Sequence, residues 1–378
     1  MRILAWPAFK KRAANPHAAL LYEQLRDFGV EVEDWTPGRA CLRSVDLWHL
    51  HHPESVVYLR SRLRSAMTTL AFSALLSLAR LRGIRILWTV HDLGSHDELH
   101  PRLEAWFWPF FVSRVDAYLC LSDGGCRQAR ERFPGLRRLP GFIVPHGHYR
   151  DAYPNRVSRA EARRALGLPD DAKVLLHFGL VRPYKNAPHL IRTFRQLPQS
   201  DAVLVVAGRP FDEVVEREVR CSADGCPRVR LLLRWVPLAE VQHLFVASDL
   251  VVLPYRRILN SGTVFLALSF GRPVLVPDKG AMREQQERFG SEWIRLYSDD
   301  LSAGDLTEAT RWATATVRTA PPDLAGLDWE SLARQTHAVY EALLADGQPV
   351  RSSATSPLVS MAPPELAEDQ VPFERGGE

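Results

Sequence analysis

The chain has 378 residues, 46% of them apolar and 24% charged, with a formal net charge of +4. That size and balance predict a soluble globular protein of two domains, each large enough to bury its own core. They exclude collagen-like and low-complexity chains, and so mild a positive charge gives no argument for a nucleic-acid partner.

The charge is unevenly spread: Met1–Asp151 carries about +6 and the remainder about −2. Nearly all the basic residues are arginines. Lys10, Lys11, Lys173, Lys185 and Lys279 are the only lysines. Five cysteines without paired CxxC spacing argue against a disulfide framework and against zinc, the Cys221–Cys226 pair included. The chain opens directly on "MRILAW", a strand pattern with no cleavable leader, so a cytoplasmic location is expected.

Strand and helix patterns then alternate. "RILAWP" reads as a strand. "NPHAALLYEQLRDFG" reads as an amphipathic helix with Leu20, Leu21, Leu25 and Phe28 on one side, closed by Gly29. "VEVEDW" and "VDLWHLHHP" are strands, and a helix spans roughly 58–82. Within it Ala66–Ala79 is uncharged, too short to cross a bilayer and flanked by arginines. "IRILWTV", the aromatic run "WFWPFF", "AYLCLS", a helix from Asp123 to about Phe133, and "GFIVPHGHY" complete the first half. The polar stretch from Asp151 to Lys173 marks a junction, after which the alternation restarts with "KVLLHFG" and runs to "PVLVP". The pattern predicts parallel sheets with helices on both faces. We expect two doubly wound α/β domains, 1–155 and 156–346, meeting at a cleft, and a disordered Ser/Pro/Ala/Glu tail over 347–378.

In such sheets ligands bind beyond the carboxyl ends of the strands. The loop "FGLVRPYKN" puts Gly179, Arg182 and Lys185 just past a strand, two cations suited to a diphosphate. "LNSGTVFLAL" puts Ser261, Gly262 and Thr263 at a helix start, where backbone N–H groups and the helix dipole favour an anion. Each also reads blandly, as solvated charges or a plain N-cap; together on one domain they point to a nucleotide diphosphate. In the first domain, "HDLGSHDELH" crowds His91, Asp92, His96, Asp97, Glu98 and His100 into one post-strand loop. That density is unusual for a purely structural turn, although Asp92 and Asp97 could simply cap helices and the histidines be solvated. No partner at metal-ligand spacing accompanies them.

These motifs, with "PY…SGTVFLALSFGRPVLVPDKGAMRE" and the late "LDWESLARQTHAVYEALL", resemble GT-B glycosyltransferases of family 4 layout over most of Met1 to Asp346. The resemblance implies that Arg182, Lys185 and the Ser261–Thr263 turn bind the donor diphosphate. It also puts His91 near the donor sugar and takes the Trp329 helix back to the first domain. The loop after the first strand, Lys10, Lys11 and Arg12, and His146 of "HGHY" are then expected at the acceptor.

One departure is plain. Family 4 enzymes carry two glutamates in the stretch that here runs free of acidic residues between Asp249 and Asp278. The matching positions are Ile258 and Leu266. Glu284 is the nearest carboxylate left for the donor. The loss resembles inverting GT-B enzymes, whose base lies in the first domain and which need no metal or cofactor beyond the nucleotide sugar; for that base the resemblance implies Asp97 before Asp92 and then His96. More specifically the chain resembles xanthan-type GDP-mannose-dependent β-mannosyltransferases of exopolysaccharide assembly, which implies a lipid-linked or saccharide acceptor. The basic first domain, Ala66–Ala79 and the aromatic run, which reads either as core or as a lipid-facing surface, would suit peripheral contact with the inner face of the plasma membrane. Two rival readings are a retaining family 4 transferase using a UDP-sugar and a GT-B-like sugar-nucleotide-binding protein without turnover. A sugar-nucleotide epimerase shares the fold but would be expected to carry more acidic residues.

Overall fold

Apolar runs such as "LWHL", "AYLC" and "VLVP" are buried at every position because helices cover both faces of their sheets. In the computed structural model these runs form two parallel sheets. The structure describes residues 1–13, 15–59, 61–94, 99–198, 201–345 and 358–360.

The first sheet contains β1 (Arg2–Trp6), β2 (Glu31–Asp34), β3 (Leu47–Leu50), β4 (Arg85–Val90), β5 (Ala117–Cys120) and β6 (Gly141–Ile143). The second contains β7 (Lys173–Phe178), β8 (Ala202–Ala207), β9 (Val229–Leu232), β10 (Leu250–Val252), β11 (Val274–Pro277) and β12 (Ile294–Tyr297). A last strand, β13 (Leu358–Ser360), pairs in parallel with β6 at the edge of the first sheet. Those three residues therefore depart from the expected disorder; the rest of the 347–378 tail lies outside the described residues.

Helices α1 (His17–Leu25), α2 (Pro37–Leu42), α3 (Arg62–Leu81), α4 (Pro101–Val112) and α5 (Asp123–Arg132) connect the first sheet. The crossover carries α6 (Arg159–Ala165), started by a capping box between Ser158 and Glu161. The second sheet carries α7 (Ala187–Arg195), α8 (Glu213–Ala223), α9 (Leu238–Ala247), α10 (Gly262–Ser269), α11 (Met282–Phe289) and α12 (Ala303–Ala315). Ser61, Ser122, Asp212 and Ser302 cap α3, α5, α8 and α12 by accepting a first-turn N–H.

The closing helix, α13 (Trp329–Ala345), returns to the first domain, as the family resemblance implies. Its Leu332, Ala333, Val339, Tyr340 and Leu343 join β1, α1 and β4 in the core of that domain. Cys120 and Cys126 form a disulfide between β5 and α5, which the cysteine spacing did not suggest. The turn from β5 into α5 brings their Cα atoms to 5.4 Å.

Strand order decides where ligands can bind. The second sheet runs β9-β8-β7-β10-β11-β12, reversing between β7 and β10. The first runs β6-β5-β4-β3-β1-β2, reversing between β1 and β3. At such a reversal the loops diverge to opposite faces and leave a crevice. The loops after β7 and β10, and those after β1 and β3, meet across one cleft.

Candidate active site

The donor wall is built on glycine. Gly179, at φ +114°, turns the chain at the end of β7, and a β-carbon there would stand 3.0 Å from Lys185 Nζ and 3.8 Å from Thr263 Oγ1. Gly208, at φ +146°, lies so close that a β-carbon would overlap the Gly179 carbonyl at 1.9 Å. Only glycine permits this approach. Lys185 Nζ lies 5.1 Å from the Tyr255 ring centroid. Ser261 precedes α10 without a side-chain capping bond, so the helix start at the cleft carries no side-chain cap, and the Val264 N–H turns back to the Ser261 carbonyl at 3.1 Å.

Gly179, Lys185, Ser261, Gly262 and Thr263 line one cavity of about 280 Å³ with Asp92, Asn15, Tyr149, Tyr153, Tyr184 and Tyr255. Ile258 and Leu266, which replace the family's glutamates, line it too. The tyrosines were missed from sequence because they come from separate segments. Tyr255 is buried, and its hydroxyl has no hydrogen-bond partner among the described residues.

Other expected residues fall differently. Arg182 stands over the Phe211 ring at 4.5 Å and lines a neighbouring cavity of about 600 Å³ with Lys11, His52, Glu54 and Asp92. Of the basic turn, Lys11 lines this cavity, whereas Arg12 is paired with Glu23 on α1 and Lys10 is exposed. His146, expected at the acceptor, packs against the donor helix. It is buried under the donor helix, stacked on Phe265 at 4.5 Å, and its Nε2 lies 3.3 Å from where a Gly262 β-carbon would be. Glu284 is not at the donor cleft either. Its two carboxylate oxygens accept the Asp123 and Gly124 N–H groups at 3.1 and 2.8 Å, bridging the two domains at the start of α5. Asp97 and His96 lie outside the described residues. Asp92 lines the cleft on both sides.

Beneath Asp92 lies a cluster that the sequence showed only as scattered histidines. His91 Nε2 meets His51 Nδ1 at 2.9 Å, and His51 Nε2 meets the Tyr22 hydroxyl at 2.6 Å. Tyr22 and Tyr340 both reach His49 Nδ1, at 2.9 and 2.7 Å, and His49 Nε2 meets Thr89 Oγ1 at 2.7 Å. His17 packs against His146 at 4.4 Å and His91 at 5.5 Å.

Burial, reinforced by neighbouring histidines, holds His17, His51 and His91 well below the usual imidazole range. Burial alone takes His49 down to about 3. His52 is the exception. Burial opposes its charge, but the Glu54 carboxylate, 3.1 Å from Nδ1, outweighs that and raises its pKa. "HLHHP" could have been flagged as a crowded strand end; its pairing with Tyr22 and Tyr340 could not. Among the described residues no three His, Cys, Asp or Glu side chains are grouped to hold a metal ion.

Two parallel-sheet domains whose crevices face each other, one offering a lysine and a helix start without a side-chain cap and the other a carboxylate over buried imidazoles, define a GT-B glycosyltransferase. Residues 172–311 match the family model described as glycosyl transferases group 1. Over 338 residues the chain is 30% identical to the GDP-mannose:glycolipid 4-beta-D-mannosyltransferase of Xanthomonas campestris pv. campestris, covering 88% of this chain and 90% of that one. Its fold is similar to sucrose-phosphate synthase from Thermosynechococcus elongatus, with a TM-score of 0.68 at 16% identity over 91% of this chain and 99% of that one. It is also similar to Anabaena HepE, solved with UDP, with a TM-score of 0.59 at 14% identity over 91% and 96% of the two chains. The chain belongs to the group 1 glycosyltransferases, and its activity is glycosyl transfer.

Proposed function

We propose that the protein transfers mannose from GDP-mannose, with inversion, to a lipid-linked saccharide in glycan assembly. The observation that carries the inverting reading is the donor wall, where Ile258 and Leu266 stand in place of carboxylates. A base must then come from the first domain. The carboxylate is that of Asp92 or Asp97, on the loop after β4. It takes the proton of the acceptor hydroxyl as that oxygen bonds to the anomeric carbon and the bond to the nucleotide diphosphate breaks. Lys185, the Thr263 hydroxyl and the N-terminus of α10 receive the leaving charge, so the reading requires no metal or other cofactor. The donor identity rests on the named activity of the Xanthomonas relative.

Contact with the membrane is part of this proposal. No helix of the described residues is long and apolar enough to cross a bilayer. Yet α3 turns Leu63, Met67 and Leu70 outward, 70, 61 and 58% exposed. Their spacing puts them on one stripe of the helix. On α4 the aromatic run divides. Phe107, Trp108 and Phe111 are core, whereas Trp106 is exposed and stacks on Phe110, over which Arg114 lies. Exposed apolar and aromatic groups edged by arginine suit the surface of an anionic bilayer.

Parallel calorimetric titration with GDP, UDP, ADP and dTDP tests the donor. Selective binding of GDP is expected; selective binding of UDP would replace mannose with another sugar. Product configuration, read by NMR, tests inversion, and an α-linked product from an α-linked donor would overturn it. Undiminished turnover in excess chelator is expected.

A further inference from the structure

On the outer side of the first domain, between α4 and the short 3-10 turn Pro134–Arg138, runs an apolar groove of about 540 Å³. Trp108, Pro109, Val112, Phe133, Pro134 and Leu139 line it. Trp108 is 3% exposed, and its indole N–H has no hydrogen-bond acceptor among the described residues.

The groove does not end blindly. Glu104, Ala105 and Arg132 line both it and a cavity of about 700 Å³. That cavity in turn shares Asp92, Arg257 and Ile258 with the donor cleft. The three cavities therefore adjoin in series from Lys185 to Trp108, and the lining changes along the series. At the donor end stands the carboxylate of Asp92. Next come the cations Arg257, Lys279 and Arg132, which outnumber the one carboxylate beside them, that of Glu104. Beyond Arg132 the walls are mainly aromatic and aliphatic, with Ser113 and Arg138 the polar exceptions. The cavity of Lys11 and Arg182 shares no lining residue with the groove.

We propose that this series of cavities is the acceptor's berth: its hydrocarbon chain lies in the Trp108–Phe133 groove, its phosphate is held by Arg132 with Arg257 and Lys279, and its saccharide reaches toward Asp92. The inference rests on the reading of the acceptor as an anionic glycolipid. The order of groups along such a molecule, sugar, phosphate, hydrocarbon, matches the order along the series. Burying the chain draws on the apolar area of the groove, and the phosphate can be forked by arginine. The opposite flank of α4 carries exposed Trp106, so the groove sits on the same helix as the surface proposed to meet the bilayer.

The test compares farnesyl diphosphate with inorganic diphosphate as probes, titrated into the full-length protein with GDP in saturating amount. Farnesyl diphosphate is expected to bind at least tenfold more tightly. Pro109→Trp and Ser113→Trp, both at exposed positions that line the groove and not the phosphate cavity, should abolish that advantage while the affinity for inorganic diphosphate holds. Arg132→Gln should weaken both probes. Circular dichroism and thermal unfolding establish that each variant is folded. Equal affinity for the two probes, or an advantage that survives both tryptophan variants, would overturn the proposal. Equal affinity is also what occupation of the groove by the protein's own tail would give. Transfer assays separate this from the acceptor reading. Turnover on a lipid-linked acceptor that Pro109→Trp leaves untouched sinks the groove alone. Turnover on lipid-free saccharide only, with the farnesyl preference intact, sinks the acceptor reading alone.

Discussion

His51 Nδ1 lies 2.9 Å from His91 Nε2, tying the loop that carries Asp92 to a buried line of imidazoles that ends on Tyr340 of the closing helix. Only one proton fits each link of such a line, and a neutral imidazole supplies one donor and one acceptor. The position of the reactive loop thus depends on histidines that stay uncharged.

Stability should therefore fall on mild acidification. His49 is held at about 3 and His146 and His177 at about 4, all by burial. For each, the unfolded chain takes up its proton near pH 6.5 while the folded protein does not, so the unfolded state binds more protons across that window. Stability is fully present above pH 6.5 and is lost as pH drops toward 4, by up to about 1.4 kcal/mol per pH unit for each independent histidine. Thermal unfolding between pH 7.5 and 4.5 should show a steep decline, and a flat profile would mean that these imidazoles are not held neutral.

Lys185→Ala should weaken nucleotide diphosphate binding by tenfold or more, a loss of about 1.4 kcal/mol or greater. Arg182→Ala should cost less, because the guanidinium stands over Phe211 and lines the neighbouring cavity. Calorimetry on the two variants checks the order, and a larger loss for Arg182→Ala would reverse the assignment.

A methyl group at Gly179 should act on both fold and site. The residue sits at φ +114°, and the added carbon would press on Lys185 Nζ at 3.0 Å. Gly179→Ala is expected to cost roughly 1–3 kcal/mol of stability and to weaken nucleotide binding. Gly208→Ala, which overlaps the Gly179 carbonyl at 1.9 Å, should be the more damaging of the pair. Denaturant unfolding ranks them.

Loss of the base should show in turnover rather than in binding. Asp92→Asn is expected to lower kcat by roughly 100-fold or more while nucleotide affinity stays within about twofold. If Asp97→Asn produces that signature and Asp92→Asn does not, Asp97 is the base and Asp92 is a lining residue.

Much of this was legible along the chain. The βα alternation reads locally, because apolar runs of strand length and amphipathic helices are set by neighbouring residues. So do Gly179, Lys185 and Ser261–Thr263, since each follows a strand within a few residues. The acid-free stretch around Ile258 and Leu266 was visible as a plain absence. What the chain could not reveal was anything that depends on strand order. His17, His49, His51, His91 and His146 come together because reversals in the sheet bring the ends of β1, β3 and β4 to one crevice beside the crossover. Glu284 looked like a donor ligand in sequence, yet α11 aims it at the N–H groups of another domain. Lys11 and Arg12 are adjacent, but one lines the cleft and the other pairs with Glu23. Local spacing determines which side chains share an element. Only the packing of distant elements, driven by burial of their apolar faces, decides which of them share a site.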